Sequence, residues 1–162
     1  MSGKIIIITG ANRGMGKAMT QKLAEMGATV YMICRDKESG STVENEFKDK
    51  NLSVTLKITD LENVEDINNL VQEITKEQNH IDVLINNGAV NLEKATTRIE
   101  NIPLEILEQT MNINFRGTLL ISQKFVPLLK KSTSGRIINF SSGLGQLTEW
   151  VIILLIVSLK PL

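Results

Sequence analysis

Short runs of apolar residues alternate with longer amphipathic segments along most of this 162-residue chain. An unbroken run such as Ile5 to Ile8 is typical of a strand that is buried on both faces of a parallel sheet. Between the runs, apolar residues recur at helical spacing, as at Val64, Ile67 and Leu70. This alternation predicts β-α-β units, and therefore an α/β fold. The predicted strands occupy residues 4–9, 29–34, 53–58, 82–86 and 136–140.

Right-handed crossover connections place these five strands in the order 3-2-1-4-5. The predicted architecture is a Rossmann-like, doubly wound parallel sheet, which is incomplete because only strands 1–5 are found. The order reverses between strands one and four, so we expect residues 10–16 and 86–89, which follow those strands, to meet at a binding cleft. We assign residues 1–145 to this Rossmann-like domain and residues 146–162 to an aberrant apolar tail.

The segment after strand four predicts a long helix that begins at Pro103 and ends by Lys130 and Lys131. Proline suits the first turn of a helix, and cations suit its C-terminus. Apolar residues recur along this helix at helical spacing, so we expect them to face the core. They are Leu104, Leu107, Met111, Phe115 and Leu119.

Composition and charge exclude several classes of function. Lys plus Arg number 18 and Asp plus Glu also number 18, so no net charge favours nucleic acid or an anionic membrane. Cys34 and His80 are the only residues of their types, which excludes an internal disulfide and argues against a zinc site or a Ser-His-Asp triad. The apolar run at 151–159 is too short to span a bilayer. We expect a cytoplasmic protein without metal, nucleic-acid or membrane partners.

The loop at residues 9–16, Thr-Gly-Ala-Asn-Arg-Gly-Met-Gly, joins a predicted buried strand to a predicted helix. Backbone N–H groups and the helix dipole favour an anion at such a helix start, and glycine lets a diphosphate approach the backbone. The alternative is an ordinary strand-to-helix turn, since turns use glycine widely. The flanking strand and helix favour a dinucleotide site.

Further motifs follow at regular intervals: Asp60-Leu61, the sequence Asn-Asn-Gly-Ala at residues 86–89, Asn114 with Gly117, and Gly-Arg-Ile-Ile-Asn-Phe-Ser-Ser at residues 135–142. In this order, and together with the glycine loop, they make the chain resemble the short-chain dehydrogenase/reductase family up to about Gly145. That family usually has Asn-Asn-Ala-Gly where residues 86–89 lie. Because the exchanged residues are both small, we expect close approach to the cofactor to survive.

The resemblance implies an oxidoreductase that transfers hydride between a nicotinamide cofactor and a small carbonyl or alcohol substrate. It also implies homo-oligomers, often formed through the Pro103 helix and the helix that follows it, although this chain lacks the second of these. In the family, Ser142 would polarise the substrate carbonyl. The alternative is that Ser142 is an ordinary turn residue after the strand. Asn114 would hold a water through its main chain, or else be a satisfied core amide. The candidate cofactor-binding residues are Gly10, Asn12, Arg13, Gly14, Met15, Gly16, Arg35, Asp60, Leu61 and Asn87.

Two of these candidates leave alternatives open. In the family Asp60 would hydrogen-bond the adenine, but it could instead cap the helix that begins near Val64. Strand two ends near Cys34, where an NAD-preferring site would place a carboxylate. Arg13 and Arg35 could instead hold a 2′-phosphate, so we predict NADP(H) over NAD(H). The alternative is that both arginines are solvated surface charges and that Asp36 reaches the ribose.

No Tyr-x-x-x-Lys motif, the acid/base of the family, follows Ser142, and the only tyrosine is Tyr31. We therefore expect this chain to be inactive as it stands. The alternatives are a non-catalytic dinucleotide-binding fragment and an unstable remnant of a disrupted gene, in which the edge of strand five would be uncovered. A truncation or frameshift after about Gly145 would explain the tail, because one choice of codons for residues 151–162 encodes Tyr-x-x-x-Lys in another frame.

Overall fold

The computed structural model describes residues 1–92 and 98–141, and the backbone of residues 154–158. These residues form one six-stranded sheet with helices on both faces. The strands are β1 (Ile5–Thr9), β2 (Thr29–Cys34), β3 (Val54–Ile58), β4 (Val83–Asn86), β5 (Arg136–Phe140) and β6 (Leu154–Ser158). The helices are α1 (Gly14–Glu25), α2 (Lys37–Asp49), α3 (Val64–Glu77), α4 (Leu104–Met111), a π-helical segment (Asn112–Gly117) and α5 (Thr118–Leu129), preceded by a 3₁₀ turn at Ile99–Asn101.

The order of strands confirms the predicted parallel sheet. The sheet reads β3-β2-β1-β4-β5-β6, and β1 to β5 pair in parallel. Strand β6 lies antiparallel to β5, with Ile138 opposite Ile156. The expectation that the tail leaves the edge of β5 uncovered is therefore wrong, because the backbone of Leu154–Ser158 pairs along it.

The core consists of two apolar layers, one on each face of the sheet. Along β1, Ile6 and Ile8 point to the layer beneath α1 and α2, which includes Phe47. Ile7 points to the opposite layer, which contains Ile67 of α3 and further residues of α3 and α5. Ile6, Ile7 and Ile8 of β1 and Phe47 of α2 are fully buried, which explains why β1 reads as an unbroken apolar run.

The prediction that the long helix after β4 buries its first apolar stripe is wrong. The side chains of that stripe are 46% to 62% exposed in the structure. The helix instead buries a second stripe, which includes Ile113, Ile121 and Phe125. Periodicity detects an apolar stripe but does not show which neighbouring element covers it, and here two stripes run along one helix. The exposed residues are Leu104, Leu107, Met111, Phe115 and Leu119.

The same helix is distorted over the six residues that end at Gly117. Between α4 and α5 the backbone follows the π-helical geometry of Asn112–Gly117. A Cβ atom on Gly117 would lie 2.3 Å from the carbonyl oxygen of Leu61. Glycine therefore allows the distorted segment to pack against the loop that follows β3.

Candidate cofactor-binding cleft

An open cleft of about 590 Å³ lies at the carboxyl ends of the central strands. The loops that follow β1, β2, β3 and β4 line it, and Ile113 of the π-helical segment adds one side. This is the place where the strand order reverses, and the volume falls within the range of about 300–1,000 Å³ that is typical of small-molecule sites. The topology therefore places the cleft where the sequence predicted it.

Two glycines of the first loop bring the start of α1 against the end of β1. Gly10 has a φ of +64°, and a Cβ atom on Gly16 would lie 2.1 Å from the carbonyl oxygen of Gly10. Helix α1 begins after Arg13, whose side chain makes no capping hydrogen bond, and its first turn contains no acidic residue. The first backbone N–H groups of α1 are therefore available to an anion, because a helix supplies no internal acceptors for them.

Hydrogen bonds hold the loops after β1 and β4 together. The hydroxyl oxygen of Thr9 accepts from the backbone N–H groups of Asn87, at 3.0 Å, and Gly88, at 2.8 Å. The side-chain amide of Asn87 donates in return to the carbonyl oxygens of Thr9, at 3.0 Å, and Gly10, at 3.2 Å. Sequence reasoning missed the role of the Thr9 side chain, although a hydroxyl directly before the glycine loop was visible.

The exchanged Gly-Ala order at residues 88 and 89 suits this crowded contact. A Cβ atom on Gly88 would lie 3.1 Å from the backbone nitrogen of Gly10 and 3.1 Å from the hydroxyl oxygen of Thr9. Ala89, in contrast, is exposed. The chain thus places the residue without a side chain at the tighter of the two positions.

Two exposed arginines lie at the rim of the cleft. Arg13 and Arg35 both line it, and within the described part of the chain neither has a carboxylate oxygen within 4.0 Å. Asp36 follows Arg35 but caps α2, where its carboxylate accepts from the N–H of Ser39 at 2.8 Å and from the hydroxyl of Ser39. Burial raises the pKa of Cys34 to about 11, so the thiol at the end of β2 stays neutral.

The structure excludes one of the two alternatives for Asp60, the cap of helix α3. Asn63, not Asp60, is its N-cap, because the Asn63 side chain accepts from the backbone N–H groups of Glu65 and Asp66. The helix-cap interpretation of Asp60 is therefore wrong. Asp60 accepts from the N–H of Glu62 at 3.0 Å and lines the cleft together with Leu61.

Asn114 joins the π-helical segment to the loop after β4. Its side-chain oxygen accepts from the N–H of Val90 at 2.8 Å, and its amide donates to the carbonyl oxygen of Val90 at 2.8 Å. The side chain is a satisfied amide that positions a cleft loop, and it is half-buried rather than in the core. The main-chain role of Asn114 stays a prediction. Ser142 lies outside the described residues, which after β5 end with the exposed Ser141.

Neither a metal centre nor a membrane span is found in the described residues. Within residues 1–92 and 98–141, no three His, Cys, Asp or Glu side chains come together as potential metal ligands. No helix in the described part of the chain has the length and apolar character needed to cross a membrane.

Comparison with known proteins identifies relatives over most of the chain. Residues 4–153 match the family model described as short chain dehydrogenase. Human retinol dehydrogenase 11 is 33% identical over 144 residues, which are 88% of this chain but 44% of that protein. The Pseudomonas aeruginosa RhlG/NADP active-site complex superposes with a TM-score of 0.81 at 27% identity, covering 93% of this chain and 59% of that one.

A metagenomic short-chain oxidoreductase in complex with NADP superposes with a TM-score of 0.80 at 28% identity. That match covers 87% of this chain and 63% of the other. The chain therefore spans less than two thirds of the length of each of these relatives.

Proposed function

The chain belongs to the short-chain dehydrogenase family, and on that premise we propose that its cleft binds NADP(H) in preference to NAD(H), as the cofactor half of a carbonyl or alcohol oxidoreductase. A nicotinamide cofactor, when bound, supplies or accepts the hydride. The observation that carries the preference for NADP(H) is the pair of exposed arginines, Arg13 and Arg35, which have no carboxylate partner in the described part of the chain.

The start of α1 fits the diphosphate of such a cofactor. The N–H groups of Gly14, Met15 and Gly16 lack helical acceptors, and the helix dipole favours negative charge there. Gly10 and Gly16 let the first turn of α1 lie directly against the end of β1, and the side-chain amide of Asn87 donates to the Gly10 carbonyl oxygen at 3.2 Å. These contacts support a backbone cradle for the diphosphate.

The rim of the cleft fits the adenosine end. Arg13 and Arg35 would hold the 2′-phosphate by charge-assisted hydrogen bonds, and Asp60 and Leu61 would contact the adenine. The neutral thiol of Cys34 adds no negative charge at the end of β2. Asn12 lines the same wall of the cleft. The descriptions of the RhlG complex and of the metagenomic oxidoreductase both name NADP, which supports the same assignment.

Binding of reduced cofactors tests the proposal directly. In a fluorescence titration of the 162-residue chain, we expect NADPH to bind at least about tenfold more tightly than NADH, a difference of about 1.4 kcal/mol. Arg35→Asp should remove this preference, because a carboxylate repels the 2′-phosphate and can accept from a free ribose hydroxyl. The matched control is Arg136→Asp, since Arg136 is exposed at the amino end of β5, away from the cleft. An Arg35→Asp variant that gains affinity for NADPH would contradict the proposal.

A polypeptide of these 162 residues should bind the cofactor without measurable turnover. Its only tyrosine, Tyr31, is buried in β2, where the hydroxyl donates to Glu77 and accepts from Gln78. Burial also raises the pKa of Tyr31, so this phenol is no acid/base for the cleft. Because acid–base catalysis contributes about 10²–10⁴-fold, we expect no carbonyl-dependent NADPH oxidation above background with a broad set of aldehydes and ketones.

The three outcomes of these assays separate the candidate functions. Binding without turnover supports the non-catalytic form of the site. Carbonyl-dependent oxidation of NADPH would show that these 162 residues carry their own proton donor. A chain that shows neither binding nor a cooperative unfolding transition would be an unstable remnant.

A further inference from the structure

Three polar side chains at the rim of the cleft form a hydrogen-bonded chain. The amide of Asn12 donates to the hydroxyl oxygen of Ser39 at 2.9 Å. The hydroxyl of Ser39 donates in turn to Asp36, and the Ser39 N–H donates to the same carboxylate oxygen at 2.8 Å. These hydrogen bonds connect the glycine loop to the start of α2, and all three residues line the cleft.

We propose that Ser39 is a positioning residue that sets the preference for NADP(H) by holding the Asp36 carboxylate away from the cofactor and from the two arginines. The inference rests on the proposed function of the cleft. A free carboxylate next to Arg35 would compete with a 2′-phosphate in two ways: it would pair with the guanidinium, and it would accept hydrogen bonds from an unmodified ribose. Each of these effects favours NADH over NADPH.

The packing of α2 keeps Ser39 in place. A Cβ atom on Gly40, the next residue, would lie 2.6 Å from the sulfur of Cys34 and 2.9 Å from a methyl carbon of Leu56. The first turn of α2 is therefore packed closely on β2 and β3. The thiol of Cys34 also lies 3.4 Å from the carbonyl oxygen of Asp36, which it can donate to. These contacts hold the backbone of Asp36 and Ser39 against β2 and β3, so the two side chains stay within hydrogen-bonding distance of each other.

The hydrogen bonds to Ser39 orient the Asp36 carboxylate but do not neutralise it. Hydrogen bonds from the hydroxyl and N–H of Ser39 lower the pKa of Asp36, and the adjacent Arg35 acts in the same direction. Asp36 thus stays charged at neutral pH, yet one of its oxygens is occupied by two donors from Ser39. Besides Arg35 and Asp36, the charged residues that line the cleft are Arg13 and Asp60, and Glu38 lines the shallow pocket next to it.

The test measures the NADH dissociation constant divided by the NADPH dissociation constant, for the full chain and its variants. A high ratio means a preference for NADPH. Ser39→Ala should lower this ratio at least about fivefold, whereas it should leave the ratio unchanged in an Asp36→Ala background. The control is Thr42→Ala, since Thr42 lies one turn along the same helix and its hydroxyl bonds only the Glu38 carbonyl among the described residues. Ser39→Thr keeps a hydroxyl and should keep a ratio near that of the unmodified chain.

Each outcome decides the matter. Equal weakening of both cofactors in Ser39→Ala would reveal a merely structural cap and overturn the inference. An unmodified chain that prefers NADPH, with a ratio untouched by Ser39→Ala, would overturn the inference and leave the proposed function intact. An unmodified chain that binds neither cofactor would overturn both. If Ser39→Ala does not fold, Asp36→Ala decides alone: a lower ratio in that variant would overturn the inference.

Discussion

Replacing Gly16 by alanine should abolish measurable NADPH binding and lower the free energy of unfolding by about 2–3 kcal/mol. The added Cβ atom would lie 2.1 Å from the oxygen and 2.9 Å from the carbon of the Gly10 carbonyl, and 2.7 Å from the Asn87 amide nitrogen. Two of these neighbours are backbone atoms, which cannot rotate away as a flexible side chain can. Helix α1 must then move off the end of β1, and the N–H groups that form the anion site move with it.

Alanine variants at two other glycines distinguish the effect of this clash from the effect of backbone strain alone. Gly3 has a φ of +73°, a Cβ atom added to it would meet nothing within 4 Å, and it is not among the residues that line the cleft. Gly3→Ala should therefore cost about 1–2 kcal/mol of left-handed strain and leave NADPH affinity unchanged. Gly14, with a φ of +51° and equally open surroundings, lies in the cleft, so Gly14→Ala should show an intermediate loss of affinity.

Unfolding in urea, followed by circular dichroism, gives the stability difference, and a fluorescence titration gives the affinity. A Gly16→Ala variant that binds NADPH within about threefold of the unmodified chain would refute the close contact between α1 and the Gly10 turn, since a factor of three corresponds to only about 0.7 kcal/mol.

The parallel sheet could be predicted because its signals are local and its connections obey one handedness. Apolar runs such as the one at Ile5–Thr9 mark strands that are buried on both faces, and helices between them leave only right-handed crossovers. Predicted and observed strands therefore agree to within one residue at each end. Strand β6 was not predicted, because an antiparallel partner at an edge depends on pairing rather than on a local pattern.

Side-chain exposure on α4 and α5 could not be predicted for a related reason. Leu104 and Phe115 carry the same helical periodicity as residues that face a core, yet they are 62% and 61% exposed. Only the position of the sheet relative to the helix shows that Ile121 and Phe125 face inward instead. The sequence pattern shows where an apolar stripe lies on a helix, but only tertiary packing decides which neighbouring element covers that stripe.

In the cleft, the glycine loop was predictable and its supports were not. Residues such as Gly10 and Gly16 can be recognised by type and spacing, because few other positions require a residue without a side chain. The Thr9 hydroxyl accepts hydrogen bonds from the N–H groups of residues 87 and 88, and the Asn12 amide donates one to Ser39. Both roles depend on contacts between segments that are distant in sequence. The cap of α3 could have been predicted from the sequence, because Asn63 directly precedes the first helical residue and asparagine is a favoured N-cap.

Replacing Asp82 by asparagine should lower the free energy of unfolding at pH 7 by roughly 2–4 kcal/mol. Asp82 is 2% exposed, and its carboxylate accepts from the N–H of Ile5 at 2.9 Å, from the hydroxyl of Ser132 at 2.7 Å and from the ammonium group of Lys4 at 2.9 Å. These bonds fasten the amino ends of β1 and β4 to the turn before β5. An asparagine amide would direct its own N–H groups at one or more of these donors and leave them unsatisfied.

The effect should depend on pH in a defined direction. Burial alone would raise the pKa of Asp82, but the hydrogen bonds from Ile5, Ser132 and Lys4 outweigh it and lower the pKa below its ordinary value. A carboxyl with a lowered pKa in the folded state stabilises the fold above the pKa of the unfolded chain, and that contribution is lost as the pH falls through the folded pKa. The difference in the free energy of unfolding between the unmodified chain and Asp82→Asn should thus shrink as the pH falls from about 5 to about 3.5.

Urea unfolding at about pH 7, 5 and 3.5, values that bracket the ordinary pKa of an aspartate, measures that difference. Asp49→Asn is the matched control, because Asp49 is exposed at the end of α2. The control should change stability by no more than about 0.5 kcal/mol at any of these values. A difference that widens from about pH 5 to about pH 3.5 would mean that Asp82 is protonated more readily in the fold than in the unfolded chain. In that case burial would dominate over the three hydrogen bonds, and the anchoring role assigned to this carboxylate would be wrong.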